Sequence, residues 1–302
     1  MDKILFGAGK IGRALKKTIH GIVYYCDNSL FGQEIDGIKV LSFEELKSVL
    51  GEREYEVIIS VLDEVASNEI SNLLESNGIS YKKITELDEL KYVEELDYWK
   101  NCFDEEANYF NNNFYSRLML SIAGEKDDIF LKDKIVADFG CGPRGSLTWM
   151  KAPRVKIGID VLATEYTKNF DKNIVKQDMI YVTSTEQCIP MPDSSVECLI
   201  TINALDHVRD LDVMCSELLR ILKKGGIFLG SFNLFEKATE CEPQTLTEDI
   251  LKRKLLDYIS IEKYHIAKKD DEDTYKYMNM GEYLDEVNGE FPCVLWVRGV
   301  KK

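Results

Sequence analysis

The sequence predicts an α/β protein of two domains, each built on its own parallel sheet. Three observations carry this. Short apolar, strand-like runs alternate with helical stretches over residues 3–85, the same alternation resumes after residue 127, and each series opens with a strand that enters a glycine-rich turn. With 302 residues, 45% of them hydrophobic, the chain can fill two cores.

The first series runs "KILF", a helix from Lys10, "IVYY", "IKV", a helix from Phe43, "VIISV", a helix from Val65 and "ISYKKI". It predicts a small parallel α/β unit. Near Leu87 the strands stop, and residues 88–127 turn acidic, aromatic and helical, as a linker or lid would. The expected division is thus 1–87, 88–127 and 128–302. The second series reads "KIVADFG", "VKIGID", "MIYV", "VECLITI" and "GIFLGSF", then "YISIEKYHIA" and "FPCVLWVRGV". A polar stretch rather than a crossover helix separates the last two, so they are expected to pair antiparallel.

Composition narrows the partners. A net charge of −15 repels phosphate backbones and anionic bilayers, and there is no basic stripe, so neither nucleic acid nor a membrane is expected. Met1 leads directly into strand-like sequence without a leader pattern, and no run of about 18 apolar residues occurs. The eight cysteines, Cys26, Cys102, Cys141, Cys188, Cys198, Cys215, Cys241 and Cys293, form no C-x-x-C pair. They read as reduced thiols, which points to a cytoplasmic protein. The histidines, His20, His207 and His265, are scattered, so no histidine or cysteine metal cluster is expected, and a carboxylate-bound Mg²⁺ stays open.

"IVADFGCGPRGS" places Asp138, Gly140, Gly142 and Gly145 at the tip of the first strand of the second series. Glycines allow a tight turn and close approach of a ligand. The next strand ends in Asp160, 20 residues after Gly140, where a carboxylate can take both ribose hydroxyls. An adenosine-containing ligand is implied. Asp138 disfavours a pyrophosphate at this loop and suits a ligand with cationic groups, such as a sulfonium and an ammonium.

"VADFGCGPRGS", "IGIDVLA", "STEQCIPMPDSSVECLITINALDHVRD" and "ELLRILKKGGIFLGSF", in this order, resemble the successive motifs of class I S-adenosylmethionine-dependent methyltransferases of the type 11 group, over residues 128–300. The resemblance implies a Rossmann-like sheet of seven strands with an antiparallel last strand, and S-adenosylmethionine as cofactor. It puts Asp138, Gly140, Cys141, Gly142 and Gly145 along the amino-acid end of the cofactor, Asp160 on the ribose, Val161 on the adenine and Asn203 beside the cofactor. Relatives carry an Asp against the adenine amine where this chain has Ser184, Thr185 and Glu186. Thr185 or Glu186 is expected to substitute, with Asp178 an alternative.

Methyl transfer is an in-line displacement, and a base is needed where the nucleophile must lose a proton. His207, in "NALDHVRD", follows the fourth strand and is the candidate base, with Asp206 as orienter or as the base itself. A site-shaping His207 is the competing reading. The sequence "NALD" differs from the Asn-Pro-Pro-Tyr type of amine methyltransferases, which favours a hydroxyl acceptor. Phe232, Asn233, Glu242 and Gln244 are expected in a loop facing it, and Tyr109, Phe110, Tyr115 and Arg117 either line a lid or pack as aromatic core with Arg117 in a salt bridge.

The first series carries a full G-x-G-x-x-G on Gly7, Gly9 and Gly12, spanning Lys10 and Ile11, and Asp27 lies 20 residues after Gly7. With "IVYYCDNSLFGQEIDGIKVLSFEEL" it resembles the Rossmann-like nucleotide-binding modules of sugar-modifying and polysaccharide-biosynthesis proteins. Three readings stand: a nucleotide or nucleotide-sugar holder that presents the acceptor, an NAD site, and a module that only packs or forms a homo-oligomer. The expectation is a methyltransferase acting on a hydroxyl of a sugar, nucleotide-sugar or glycan precursor. The alternatives are a non-catalytic sensor of S-adenosylmethionine or a nucleotide, and an NAD-dependent sugar oxidoreductase or epimerase.

Overall fold

The computed structural model describes residues 2–18, 21–61, 63–83, 87–239, 241–287 and 289–302; His20 lies outside them. The chain divides into two compact units, residues 1–97 and 98–302.

In the first unit the elements are β1 (Lys3–Phe6), α1 (Lys10–Thr18), β2 (Ile22–Cys26), β3 (Glu34–Ile35), β4 (Ile38–Leu41), α2 (Phe43–Glu52), β5 (Glu56–Ile59), α3 (Glu64–Ser76) and β6 (Tyr81–Lys83). They build a six-stranded sheet in the order β3-β4-β2-β1-β5-β6. Strand alternation sends Leu5 and Ile58 into one core and Ile4, Phe6, Val57 and Ile59 into the other, so helices can cover both faces. α2 starts where it does because Ser42 and Glu45 form a reciprocal capping box, Ser42 Oγ accepting from Glu45 N at 3.2 Å and Glu45 Oε2 accepting from Ser42 N at 2.9 Å. The expected all-parallel unit gains an antiparallel edge, β3 against β4. Its turn is Asp36-Gly37, with φ of 51° and 73°, the left-handed pair that a tight hairpin requires.

The helix α4 (Leu87–Glu105) crosses the division between the units, and α5 (Phe114–Ala123) follows. The second unit continues with β7 (Ile135–Phe139), β8 (Val155–Asp160), α6 (Ala163–Asn169), α7 (Asp171–Ile174), β9 (Ile180–Thr183), β10 (Val196–Ile202), α8 (Leu211–Ile221), β11 (Leu222–Leu234), α9 (Glu248–Lys254), β12 (Ile259–Lys268), α10 (Lys276–Met280) and β13 (Cys293–Lys301). Its seven strands lie in the order β12-β13-β11-β10-β7-β8-β9. β13 runs antiparallel to both β11 and β12, as the polar connection predicts. Among the described residues no helix is long and apolar enough to cross a membrane.

β7 and β10 of this sheet alternate between two cores. Ala137, Phe139 and Leu199 face one; Val136, Cys198 and Ile200 face the other, with Leu118, Met119 and Ile122 of α5. Polar residues appear where the strands end. Asp138 pairs with Ile200 and Gly158, Asp160 closes β8 and Asn203 follows β10, so the carboxyl ends of β7, β8 and β10 gather the polar side chains of this sheet.

Candidate functional site

Asp138 is only 3% exposed. Its Oδ2 accepts from Ser146 Oγ, while Oδ1 is buried without a partner. Burial pushes the carboxyl up to about 7, against the pull of the Ser146 hydroxyl and with help from the Asp160 charge. The loop that follows turns back on itself through Gly140 (φ 71°), Gly142 (φ 56°) and Gly145 (φ 76°). A Cβ on Gly140 would stand 2.2 Å from Ala204 Cβ, so glycine lets this loop close on the segment after β10. Cys141 is buried in the loop, and burial with the neighbouring carboxylates holds its thiol protonated, well above the usual value.

Asp160 binds this loop to β8: its Oδ2 accepts from Gly142 N at 3.0 Å and its Oδ1 from Leu162 N at 2.9 Å. Val161 beside it is half-buried. Beyond β9, Ser184 donates its backbone N–H to Asp160 O at 3.1 Å, and its Oγ is buried without a partner. Thr185 is exposed and closes its own turn, Oγ1 accepting from Gln187 N at 3.2 Å and Cys188 N at 3.0 Å. Glu186 reaches across to the segment after β10, accepting from Arg209 N at 3.2 Å. Asp178 pairs instead with Lys156 at 3.0 Å, four residues before Asp160 on β8, and that ammonium lowers its carboxyl.

Asn203 has φ 46°, a left-handed residue that is not glycine. Its amide is fixed on both sides, Nδ2 donating to Tyr275 Oη at 3.0 Å and Oδ1 accepting from Ser231 Oγ at 3.1 Å. Tyr275 comes from the stretch between β12 and β13 that the sequence offered only as a connector. It packs on Trp296 with ring centroids 5.5 Å apart, and burial raises its hydroxyl.

Asp206 and His207 follow β10. Asp206 is 4% exposed, its Oδ2 accepts from Asn233 Nδ2 at 3.3 Å, its Oδ1 has no partner, and burial raises its carboxyl. His207 Nε2 lies 3.6 Å from Glu242 Oε1. Gln244 staples the two loops together: its N donates to Asp206 O at 3.1 Å and its Nε2 to Val208 O at 3.0 Å and Arg209 O at 2.8 Å. β11 extends to Leu234, so Phe232 and Asn233 are strand residues and not loop residues. Alternation then turns Phe232 into the core, where it is fully buried beside Phe228, and leaves Asn233 against Asp206.

The segment between α4 and α5 holds the glycine loop through a residue that sequence reasoning missed. The Arg144 guanidinium meets Glu106 with two hydrogen bonds, 2.9 and 2.5 Å, donates to Asn111 O at 2.9 Å, and lies over Trp99 and Phe110 at 5.5 and 5.4 Å. A Cβ on Gly142 would meet Trp99 at 2.9 Å. Phe110 is buried with Phe103 and Phe170. Tyr115 is half-buried and its hydroxyl is raised by burial and by the Asp138 charge. Tyr109 and Arg117 are exposed, and Arg117 has no ion pair among the described residues, contrary to the expected salt bridge.

In the first unit Gly7 has φ 120°, and a Cβ on Gly12 would stand 1.9 Å from Gly7 O. Gly9 has nothing within 4 Å of such a Cβ. Asp27 ends β2 one residue on, its Oδ2 accepting from Ala8 N at 3.0 Å and its Oδ1 from Ser29 N at 2.8 Å and Leu30 N at 3.1 Å. Lys10 opens α1, and Ile11 packs against the adjoining core.

Residues 137–230 match the family model of a methyltransferase domain. Among solved structures, the chain is similar to the Haloferax volcanii protein in complex with the Trm112 methyltransferase activator, at 16% identity and TM-score 0.47, over 67% of this chain and 92% of that one. It is also similar to a SAM-dependent methyltransferase of Thermotoga maritima, described as a possible histamine N-methyltransferase (15%, TM-score 0.43, 68% and 96%), and to a SAM-dependent methyltransferase of Aquifex aeolicus (16%, TM-score 0.41, 64% and 100%). No curated protein sequence matches the chain. The second unit thus carries a stretch, residues 137–230, that matches a methyltransferase domain.

Proposed function

With an S-adenosylmethionine-dependent methyltransferase domain as the premise, we propose that this enzyme methylates a hydroxyl of a sugar, nucleotide-sugar or glycan precursor, and that the first unit holds the nucleotide part of such an acceptor. The observation that carries the donor side is the buried, unpartnered Oδ1 of Asp138 at the glycine loop. An ammonium placed there would supply the missing hydrogen bond and a compensating charge. Asp160 would exchange its loop N–H bonds for ribose hydroxyls, Val161 would flank the adenine, and Ser184 Oγ offers a second unpartnered polar atom near it. Gly140, Cys141, Gly142 and Gly145 would lie along the amino-acid end, with Asn203 beside them. Thr185 and Glu186 remain the candidates for the adenine edge.

When bound, the cofactor supplies an electrophilic methyl group on a sulfonium. The chain's own part is to hold the acceptor oxygen in line and to handle its proton. Asp206 and His207 are the groups for the proton, since both stand at the carboxyl end of β10, with Asn233, Glu242 and Gln244 around them. A polar cluster of amide, imidazole and carboxylates suits a hydroxylated acceptor better than an apolar one.

The test is transfer of a labelled methyl group from S-adenosylmethionine to a panel of sugars, nucleotide-sugars and small amines, with products identified by mass spectrometry. A methyl ether on a sugar hydroxyl supports the reading. Methylation confined to amines, or none at all by protein that binds the cofactor, refutes it.

A further inference from the structure

We propose that Asp206, His207 and Glu242 form a site for one divalent cation, with Asn233 Oδ1 as a fourth ligand. The three side chains each present a ligand atom within 4.8 Å of the others. The second observation is independent of that clustering. Asp206 Oδ1 and Asn233 Oδ1 are both buried oxygens with no hydrogen-bond partner, on residues 4% and 8% exposed whose side chains touch at 3.3 Å. Leaving a buried acceptor unpaired on each of two touching side chains is costly, and among the described residues no donor reaches either. A cation satisfies both at once and offsets the two carboxylate charges.

The framework of the site is built in. Asn233 is fixed by β11, Asp206 and His207 by the end of β10, and Glu242 by a turn in which Glu242 N donates to Thr239 Oγ1 at 3.0 Å and Thr239 N to Glu242 O at 2.9 Å. Gln244 then ties that turn to the segment after β10. Three oxygens and one imidazole accommodate an octahedral cation such as Mn²⁺ and leave coordination positions open for an acceptor.

The chemical consequence rests on the hydroxyl-methylation reading. A hydroxyl bound to the cation is acidified and releases its proton to water. The resulting oxygen forms the O–CH₃ bond as the S–CH₃ bond breaks, and the sulfonium leaves as a neutral thioether. Asp206 and His207 then act on the acceptor's proton through the cation, as its ligands, and not as direct proton acceptors.

The experiment titrates the full chain with Mn²⁺, following free Mn²⁺ by electron paramagnetic resonance, because this hard ion avoids the eight cysteines. The expected result is one site per chain, weakened roughly tenfold or more in each of Asp206→Asn, His207→Ala and Glu242→Gln. Glu44→Gln, on the exposed face of α2, should leave binding unchanged and guards against general attraction to an acidic protein. Since Glu242 is only half-buried, its variant tests the site even where Asp206→Asn fails to fold. No binding at millimolar Mn²⁺, or binding that Glu242→Gln leaves intact, overturns the site. Methyl transfer that persists in EDTA, together with absent Mn²⁺ binding, removes the cation and leaves the methyltransferase reading standing. Mn²⁺ binding with no transfer to any hydroxyl supports the site and removes only the hydroxyl reading.

Discussion

Replacing Asp138 by Asn isolates a single buried carboxyl whose ionisation should govern cofactor affinity. The ligand-free protein holds this group at about 7, raised from 3.8 chiefly by burial. Since the folded value lies above the unfolded one, the fold binds a proton that the unfolded chain releases between about pH 4 and 7. The wild-type protein therefore loses stability as pH rises through that window, by up to about 4 kcal/mol for a shift of this size. A ligand ammonium at Oδ1 reverses the balance, because it requires the ionised form. With the bound carboxyl ionised throughout, affinity follows the ionised fraction of the free protein, and the ratio between about pH 7.5 and 5.5 is on the order of 25-fold. Calorimetry with S-adenosylhomocysteine at the two pH values reads it directly, and buffers of different ionisation enthalpy read the released proton. Asp138→Asn should bind more weakly than wild type at the higher pH, lose the pH dependence, and gain thermal stability without ligand there. A wild-type affinity that is flat across this range, or a variant with the same slope, would refute the role of Asp138.

His207→Ala should slow methyl transfer by roughly 10²-fold or more while leaving S-adenosylhomocysteine affinity within a factor of about two, measured by steady-state kinetics and calorimetry. Gly140→Ala places a Cβ on a left-handed residue 2.2 Å from Ala204, so a fall in Tm of several degrees with loss of cofactor binding is expected in thermal scans. Tyr275→Phe leaves Asn203 and Ser231 without their shared partner, a loss of about 1 kcal/mol that denaturant unfolding should detect.

How much of this was legible follows from the distance over which each contact acts. The seven strands of the second sheet were readable because strand alternation is local, and for the same reason so was the placement of Asp138, Asp160 and the glycines at or near strand ends. The Asp36-Gly37 hairpin carried a local signal, the dipeptide itself, that the expected parallel unit passed over. Tyr275 had none: it meets Asn203 across 72 residues, inside a polar stretch whose composition resembles any connector. Glu242 next to His207 is likewise a product of the Gln244 staple, not of spacing. Arg144 read as an ordinary loop residue because its partners, Glu106 and the aromatic rings of Trp99 and Phe110, come from a helical segment outside the motif. Phe232 was misplaced because β11 runs two residues further than its apolar core suggests.

The two glycine loops share one device and differ in another, and the difference decides what each can bind. In both, a carboxylate at or just after the end of the second strand accepts an N–H from the loop at 3.0 Å, Asp27 from Ala8 and Asp160 from Gly142. Counting back from the first glycine of each loop, Asp138 corresponds to Leu5, which is wholly buried in the core. The first loop thus lacks the acid that attracts an ammonium, and also the charge that would repel a phosphate. A nucleotide phosphate, as proposed for this unit, is compatible with that lining, and its approach would depend on the bare backbone at Gly9. Since a Cβ at Gly9 meets no protein atom within 4 Å, Gly9→Ala should leave Tm unchanged and act only on a ligand lying against the loop. Thermal shift with uridine and adenosine diphosphates, a nucleotide-sugar and NAD is the assay. Stabilisation of the wild type that Gly9→Ala loses, with Asp138→Asn unaffected, assigns the nucleotide to the first unit. No shift with any of them in either protein refutes a nucleotide site there and leaves the unit a packing or self-association role.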